Sequence, residues 1–153
     1  MDSRRRFIGR VATGLAGTLA AVPVRALGAG RIRFGIIGVG DRGTELIQQI
    51  RACSNTEIAG VADVFTARLA RAHAASAGVT GYSDYRRLLE DPSIDAVAIA
   101  TPQHLRAEQF CDALEAGKHV YVEKTLALTL SQTKRMRAAY VRDAGKHVVQ
   151  VGH

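Results

Sequence analysis

Apolar residues occur along this chain in two alternating patterns. Short segments such as 32–37 and 94–100 are mostly apolar, which predicts strands that are buried on both faces of a sheet. The segments between them repeat apolar residues every three or four positions, which predicts amphipathic helices. Strands that alternate with helices form βαβ units, so the pattern predicts an α/β fold with a doubly wound parallel sheet.

Eleven elements are predicted after residue 30, and glycine, proline and asparagine mark several of their boundaries. The predicted strands are 32–37, 58–62, 79–83, 94–100, 118–123 and 147–151. Four of the predicted helices are 44–52, 64–77, 103–116 and 128–144. A short helix before residue 103 is capped by Ser83 or Asp84 and ends at residue 90. The helix at 128–144 is opened by Thr129 or Ser131.

The first strand runs directly into the sequence Gly38-x-Gly40-x-x-Gly43, and a predicted helix follows at once. Gly38 permits a tight turn, Gly40 lets a pyrophosphate approach the backbone, and Gly43 lets the helix pack close to the strand. The start of the helix offers unpaired N–H groups and partial positive charge to the phosphates. This context predicts a dinucleotide site, with a purely structural glycine turn as the alternative.

Asp63 stands 20 positions after Gly43, at the end of the second predicted strand. A carboxylate at that place accepts hydrogen bonds from the ribose hydroxyls of the adenosine and repels a 2′-phosphate, which favours NAD over NADP. Arg68 lies about one helical turn further on. We interpret it as a solvated surface arginine, and a residue that softens the preference for NAD is the alternative.

The formal net charge of +7 is concentrated at one end of the chain, because five arginines and one aspartate in residues 1–29 account for +4 of it. The remaining +3 is spread over the predicted helices, with acidic residues between the basic ones. There is no basic block with interleaved aromatic residues, so the sequence does not indicate a nucleic-acid partner.

Residues 1–29 have the pattern of an export signal. The sequence Ser3-Arg4-Arg5-Arg6-Phe7-Ile8 resembles the bacterial twin-arginine signal, and the mildly apolar stretch 11–22 that follows is too short and glycine-rich for a spanning helix. Cleavage is expected near Ala26 or Ala29. The predicted location is the periplasm or the extracellular space, with membrane contact only during export, and a disordered basic N-terminus or an uncleaved anchor is the alternative.

The two cysteines, Cys53 and Cys111, follow no metal-ligand spacing, and neither do His73, His119 and His147. We therefore expect no metal site. Both cysteines are assigned to predicted helices, which right-handed crossovers place on opposite faces of the sheet. The sequence therefore predicts two buried thiols and no disulfide.

Four features, taken in chain order, resemble a known family. They are the turn Gly38 to Gly43, Asp63, Thr101-Pro102 with His104 after the fourth strand, and the run Gly117 to Lys124 after the fifth strand. Residues 35–153 resemble the N-terminal domain of the Gfo/Idh/MocA oxidoreductases, named for glucose-fructose oxidoreductase and inositol dehydrogenase. Glu123-Lys124 matches the start of that family's Glu-Lys-Pro signature. The resemblance implies a Rossmann-like domain at 30–153 that binds NAD, with NADP also possible.

The family's reaction moves a hydride between nicotinamide and a hydroxyl-bearing carbon of a sugar, polyol or cyclitol. The resemblance implies that Lys124 is catalytic, because a cation beside the hydroxyl stabilises developing alkoxide character and a lysine can also shuttle a proton. A solvated lysine at a strand end is the alternative. The predicted cofactor-binding set is Gly38, Gly40, Asp41, Arg42, Gly43, Asp63, Thr101, Pro102, His104, Glu123 and Lys124.

Within that set, Glu123 is expected to accept a hydrogen bond from the nicotinamide ribose, while Thr101 and Pro102 are expected to shape the wall beside it. His104 either hydrogen-bonds in that region or is simply exposed. Two residues depart from the family pattern. Thr125 stands where the family usually has proline, which loosens the backbone at Lys124, and Arg106 stands where relatives with tightly bound NAD often have histidine.

Members of the resembled family continue into a second α/β domain that holds the substrate and a downstream catalytic histidine. We therefore interpret the chain as the N-terminal part of a two-domain enzyme, inactive by itself. The implied partners are the dinucleotide and a carbohydrate-like small molecule, and a homo-oligomer is left open. An NAD-dependent glycoside hydrolase of the same family and a non-catalytic dinucleotide-binding protein are the two alternatives.

Overall fold

The computed structural model describes residues 30–75 and 78–152. The predicted export signal, 1–29, lies outside the described residues. Six parallel strands form one sheet in the order β3-β2-β1-β4-β5-β6, which confirms the predicted doubly wound α/β fold. The strands are β1 (Ile32–Ile37), β2 (Thr56–Ala62), β3 (Thr80–Tyr82), β4 (Ala96–Ile99), β5 (His119–Val122) and β6 (Val149–Val151).

Over the described residues, five helices alternate with the strands, as the apolar spacing predicts. They are α1 (Asp41–Ala52), α2 (Thr66–Ala75), α3 (Tyr85–Glu90), α4 (Gln103–Glu115) and α5 (Leu130–Asp143). Helix α1 begins three residues earlier than predicted, because Gly40 already serves as its N-cap. Asp84 caps α3 by accepting from Arg86 N, and Thr129 caps α5 in a reciprocal capping box with Gln132.

Two apolar cores cover the two faces of the sheet. Ile36 is fully buried in the core that includes side chains of α1 and α2, and its neighbour Ile37 is buried in the core that includes side chains of α3, α4 and α5. Successive side chains of a strand point to opposite faces, so β1 must be apolar at both kinds of position. This explains the mostly apolar strand segments in the sequence.

The strand order reverses between β1 and β4. From β1 the chain passes through α1 to β2 on one side, whereas β4 lies on the other side of β1 and leads to β5. Connections that leave in opposite directions open a crevice beyond the carboxyl ends of these strands, and open parallel sheets bind their ligands there. The sheet therefore brings the segments that follow β1, β2, β4 and β5 to one edge.

The two cysteines differ from the prediction in one respect. Both are free, and Cys111 is buried in α4 as expected. Cys53, however, is exposed and follows the last residue of α1, so the prediction that it is a buried thiol is wrong. Cys53 lies at the C-cap of α1, and its side chain is directed away from the core. The helical spacing of the preceding apolar residues did not predict this exposure.

Over 30–75 and 78–152, none of the helices combines the length and the apolar content that crossing a bilayer requires.

Candidate dinucleotide-binding site

The glycine turn between β1 and α1 is built around contacts that leave no room for side chains. Gly38 has φ +89°, and its N–H donates to the carbonyl of Ala62 at 2.8 Å. A Cβ at Gly38 would lie 2.9 Å from the methyl group of Thr101, and a Cβ at Gly43 would lie 1.9 Å from the carbonyl oxygen of Gly38. Both glycines are therefore needed for the turn itself.

Gly40 differs from these two glycines, because a side chain at this position would have room. A Cβ there would meet only the guanidinium of Arg68, at 3.8 Å, and the backbone has an ordinary φ of −69°. Gly40 is also the N-cap of α1, and no side chain caps this helix end in the described structure. Bare backbone beside an uncapped helix N-terminus fits a pyrophosphate, since the unpaired amides and the helix dipole both favour an anion.

Asp63 lies directly beside this turn. Its Oδ2 accepts from the backbone N–H of Val39 at 2.9 Å, and its Oδ1 accepts from the backbone N–H of Phe65 at 2.9 Å. The residue is only 8% exposed. A buried carboxylate fixed next to the phosphate loop has the position of a ribose-binding acid in a dinucleotide fold.

Arg68 also belongs to this region, although its side chain is 40% exposed, as expected of a surface arginine. Its Nη1 lies 3.5 Å from Oδ2 of Asp63, and its guanidinium lies 4.6 Å from the centre of the Phe65 ring. Because α2 begins shortly after β2, its first turn returns to the carboxyl end of the sheet. The arginine thereby adds a cation beside the carboxylate of Asp63.

A cavity of about 650 Å³ opens at this edge of the sheet. Predicted site residues on its wall are Gly38, Gly40, Asp63, Thr101 and Pro102. Sequence reasoning missed further lining residues, which belong to the segment after β3 and to one face of α4. They are Ser83, Asp84, Tyr85, Arg86, Leu105 and Gln109. The segment after β3 carries a signal that was available from the sequence, because it too follows the carboxyl end of a predicted parallel strand.

Thr101 and Pro102 form the wall between β4 and α4. The Thr101 hydroxyl is buried and donates to Oε1 of Gln109 at 2.5 Å. Pro102 is the N-cap of α4 and is exposed. His104 is exposed on the first turn of α4, and it does not line the cavity. A hydrogen bond from His104 to the cofactor stays a prediction.

Glu123, at the end of β5, is held by residues from two other parts of the chain. Its Oε1 lies 2.7 Å from both Nε and Nη2 of Arg42 and accepts from the Tyr121 hydroxyl at 2.9 Å. Burial by itself raises the pKa of the Glu123 carboxyl, but the Arg42 and Tyr121 contacts outweigh it, so that its pKa lies below the ordinary value. The side chain, 5% exposed, thus ties α1 to β5. Its expected contact with a ribose stays a prediction.

Three predicted residues remain, which are Asp41, Arg42 and Lys124. Asp41 is exposed in the first turn of α1, and Arg42 also contacts Oε2 of Glu45 at 2.9 Å. Lys124 is exposed, and its backbone N–H donates to Oε2 of Glu123 at 3.2 Å. None of these three, nor Glu123, lines the 650 Å³ cavity. Apart from His104, the predicted residues thus fall into two groups, one around the glycine turn and Asp63 and one beside Glu123.

Arg106 projects from α4 onto the loop that carries Lys124. Its Nη1 contacts the carbonyl oxygens of Glu123, Lys124 and Thr125 at 3.0, 2.5 and 2.9 Å, and its Nε donates to the carbonyl oxygen of Thr101 at 2.8 Å. The peptide bond between Lys124 and Thr125 is cis. A single guanidinium thus joins the carboxyl ends of β4 and β5.

The doubly wound sheet, the bare glycine turn and the adjacent carboxylate define a dinucleotide-binding Rossmann domain. The profile of the Gfo/Idh/MocA family, described as an oxidoreductase family with an NAD-binding Rossmann fold, matches residues 32–153. The chain belongs to this oxidoreductase family, and it comprises the NAD-binding domain.

Relatives and solved structures agree with this assignment. The chain is 37% identical to the uncharacterized oxidoreductase YrbE of Bacillus subtilis over 123 residues, which cover 80% of this chain and 35% of that protein. It is 48% identical to levoglucosan dehydrogenase of Pseudarthrobacter phenanthrenivorans over 69 residues, which cover 45% of this chain and 17% of that protein.

Among solved structures, scyllo-inositol dehydrogenase of Lactobacillus casei, with bound NAD(H) and scyllo-inositol, superposes with a TM-score of 0.74 at 27% identity. The match covers 80% of this chain and 36% of that one. The chain therefore spans about a third of the length of the first of these relatives and of this structure.

Proposed function

We propose that this chain is the cofactor-binding part of an NAD-dependent oxidoreductase that acts on a sugar, polyol or cyclitol. The observation that carries the proposal is the bare backbone at Gly40, which faces open space beside an uncapped helix N-terminus and the buried carboxylate of Asp63. Gly40 and the amides of α1 would hold the pyrophosphate, and Asp63 the adenosine ribose. Levoglucosan dehydrogenase and scyllo-inositol dehydrogenase support the substrate class by similarity.

NAD, when bound, would accept or supply the hydride. The part of this chain in the chemistry is assigned to Lys124, whose ammonium would stand beside the reacting hydroxyl of the substrate. A cation there stabilises the developing negative charge on oxygen and can pass on a proton. Glu123 stays ionised between Arg42 and Tyr121 and accepts from the Lys124 N–H, so it fixes the start of the loop that bears the lysine.

The experiment is calorimetric titration of the purified chain with NAD⁺, NADP⁺ and, as a control, adenosine alone. We expect NAD⁺ to bind with a Kd of about micromolar or tighter, and adenosine to bind much more weakly because it lacks the phosphates. Absence of heat and of thermal stabilisation by NAD⁺ would contradict the proposal. A glycoside hydrolase is the weaker alternative, since the family profile describes oxidoreductases.

We propose in addition that residues 1–29 direct export by the twin-arginine route. The support is the sequence Ser3 to Ile8 and the short, glycine-rich apolar stretch after it. The test is fusion of 1–29 to a reporter that is active only after export of the folded protein. Replacement of both Arg4 and Arg5 by lysine should abolish export, whereas unchanged export of that double variant would contradict the proposal. Replacement of Arg25 by lysine serves as the control of equal charge.

A further inference from the structure

Arg106 contacts four backbone carbonyl oxygens, which is more than a solvated surface arginine makes. It is only partly exposed, and all its named acceptors are backbone carbonyls of two segments that follow neighbouring strands. Three of these carbonyls belong to consecutive residues, 123–125. Burial lowers the pKa of the Arg106 guanidinium, but arginine stays charged in proteins, so the contacts remain charge-assisted hydrogen bonds.

Within the segment 123–125, the Glu123 side chain accepts from the Lys124 N–H, whereas the carbonyl oxygens of the two residues after it are held by Arg106. Lys124 and Thr125 are exposed, and β5 ends at Val122. A proline at position 125 would fix its own φ and restrict the residue before it to extended backbone. Threonine supplies neither restriction. The two residues that depart from the family pattern, Arg106 and Thr125, are thus in direct contact, with Nη1 of the arginine 2.9 Å from the carbonyl oxygen of the threonine.

We propose that Arg106 is a positioning residue that holds the backbone of residues 123–125 in the way a proline at 125 otherwise would, and that it thereby places Lys124 beside the nicotinamide end of the cofactor. The backbone part of this proposal stands on the contacts alone, whereas the part that concerns Lys124 and the cofactor rests on the proposed function. A lysine has one side-chain nitrogen, which cannot stand at the positions of both Nε and Nη1, so only the guanidinium joins the Thr101 carbonyl to those of residues 123–125.

The first measurement is by NMR on the full chain. Arg106→Gln should shift the amide signals of Lys124 and Leu126 and speed their hydrogen exchange, and it should leave the amides of the glycine turn in place. Adding Thr125→Pro to Arg106→Gln should restore slow exchange at Lys124, because the ring supplies the lost restraint. Arg137→Gln, an equal loss of charge at an exposed position of α5, is the matched control. If Arg106→Gln behaves like Arg137→Gln, or if the proline does not restore protection, the proposal is overturned.

The second measurement compares NAD⁺ with ADP-ribose, which lacks the nicotinamide. Arg106→Gln should weaken NAD⁺ binding by about three- to tenfold, the factor that one lost hydrogen bond gives, and should leave ADP-ribose binding unchanged. Equal weakening of both ligands would indicate general damage and would overturn the proposal. Arg106→Met, which keeps the apolar stem of the side chain and removes every donor, replaces the glutamine variant if that one does not fold, and the same criteria apply. Failure of the wild-type chain to bind NAD⁺ would refute the proposed function, and the amide measurement would still decide the role of Arg106.

Discussion

The backbone N–H of Val39 donates to Oδ2 of Asp63 at 2.9 Å, across the carboxyl ends of β1 and β2. The carboxylate therefore supports the glycine turn, in addition to its expected contact with a ribose. The parallel pairing of Ile37 with Ala62 puts the residues that follow these strands side by side. Asp63 can thus both stabilise the glycine turn and hydrogen-bond to a ligand bound there.

Replacing Asp63 by asparagine should weaken NAD⁺ binding by about tenfold or more, because a charge-assisted hydrogen bond to the ribose hydroxyls is lost. The asparagine oxygen can still accept from Val39 N–H, so the turn should persist. Calorimetry gives the affinity, and the Val39 amide signal reports the turn. An unchanged Kd for NAD⁺ would show that Asp63 does not bind the cofactor. Glu90→Gln, at an exposed position of α3, is the control for loss of one negative charge.

Alanine substitutions at Gly40 and Gly43 should separate binding from folding. Gly40→Ala adds a methyl group in open space, so the free energy of unfolding should fall by at most about 1 kcal/mol, the usual cost of alanine at an N-cap. The same methyl group occupies the approach of the pyrophosphate, and NAD⁺ affinity should fall by about tenfold or more.

Gly43→Ala places its Cβ 1.9 Å from the Gly38 carbonyl oxygen, so the unfolding free energy should fall by about 3 kcal/mol or more. Urea unfolding and calorimetry on both variants provide the comparison. If Gly40→Ala binds NAD⁺ with the affinity of the wild type, the pyrophosphate does not bind at Gly40.

Arg68 should control the choice between NAD⁺ and NADP⁺. Its guanidinium stands 3.5 Å from the carboxylate of Asp63, where it offers a cation to a 2′-phosphate. Arg68→Gln should therefore weaken NADP⁺ binding by about tenfold and change NAD⁺ binding much less. The ratio of the two Kd values is the measurement. Arg71→Gln, an exposed position of α2, is the matched control, and an equal ratio in the two variants would exclude a role for Arg68.

Glu123 should make stability depend on pH in acid solution. Its pKa is lowered from the ordinary value of 4.5, so the ionised carboxylate stabilises the folded state above about pH 4.5, and this contribution is lost as the pH falls through the lowered pKa. Glu123→Gln should reduce the unfolding free energy by about 1–3 kcal/mol at pH 7, and the difference from wild type should shrink in acid.

The measurement for Glu123 is urea unfolding of both proteins from pH 7 down to about pH 2, so that the range includes pH values below the lowered pKa. Glu45→Gln is the control, because Glu45 contacts the same arginine from the surface, with its side chain 60% exposed. Exposed ion pairs contribute little, so this variant should remain close to wild type at every pH. A pH-independent effect of Glu123→Gln would show that its ion pair with Arg42 is not the source of the stability.

The local elements could be predicted from sequence because their causes are local. Apolar periodicity located all eleven elements, and the caps at Asp84 and Thr129 are where side chains of those types stabilise helix ends. Boundaries were less accurate, since Gly40 caps α1 with its backbone alone. Cys53 was misjudged because the exposure of a side chain near a helix end depends on what the rest of the fold places beside it.

The sequence by itself determined that the chain is a doubly wound α/β domain with a tight glycine turn after the first strand and an acid after the second, because strand periodicity and glycine geometry act over a few residues. Only the tertiary structure decided the partners of Glu123 and Lys124. Arg42 and Glu123 are 81 positions apart, and Arg106 contacts carbonyls up to 19 positions away. Contacts of that kind depend on which strands are neighbours and on the path of each helix back across the sheet, and neither is encoded in the spacing of residues along one element.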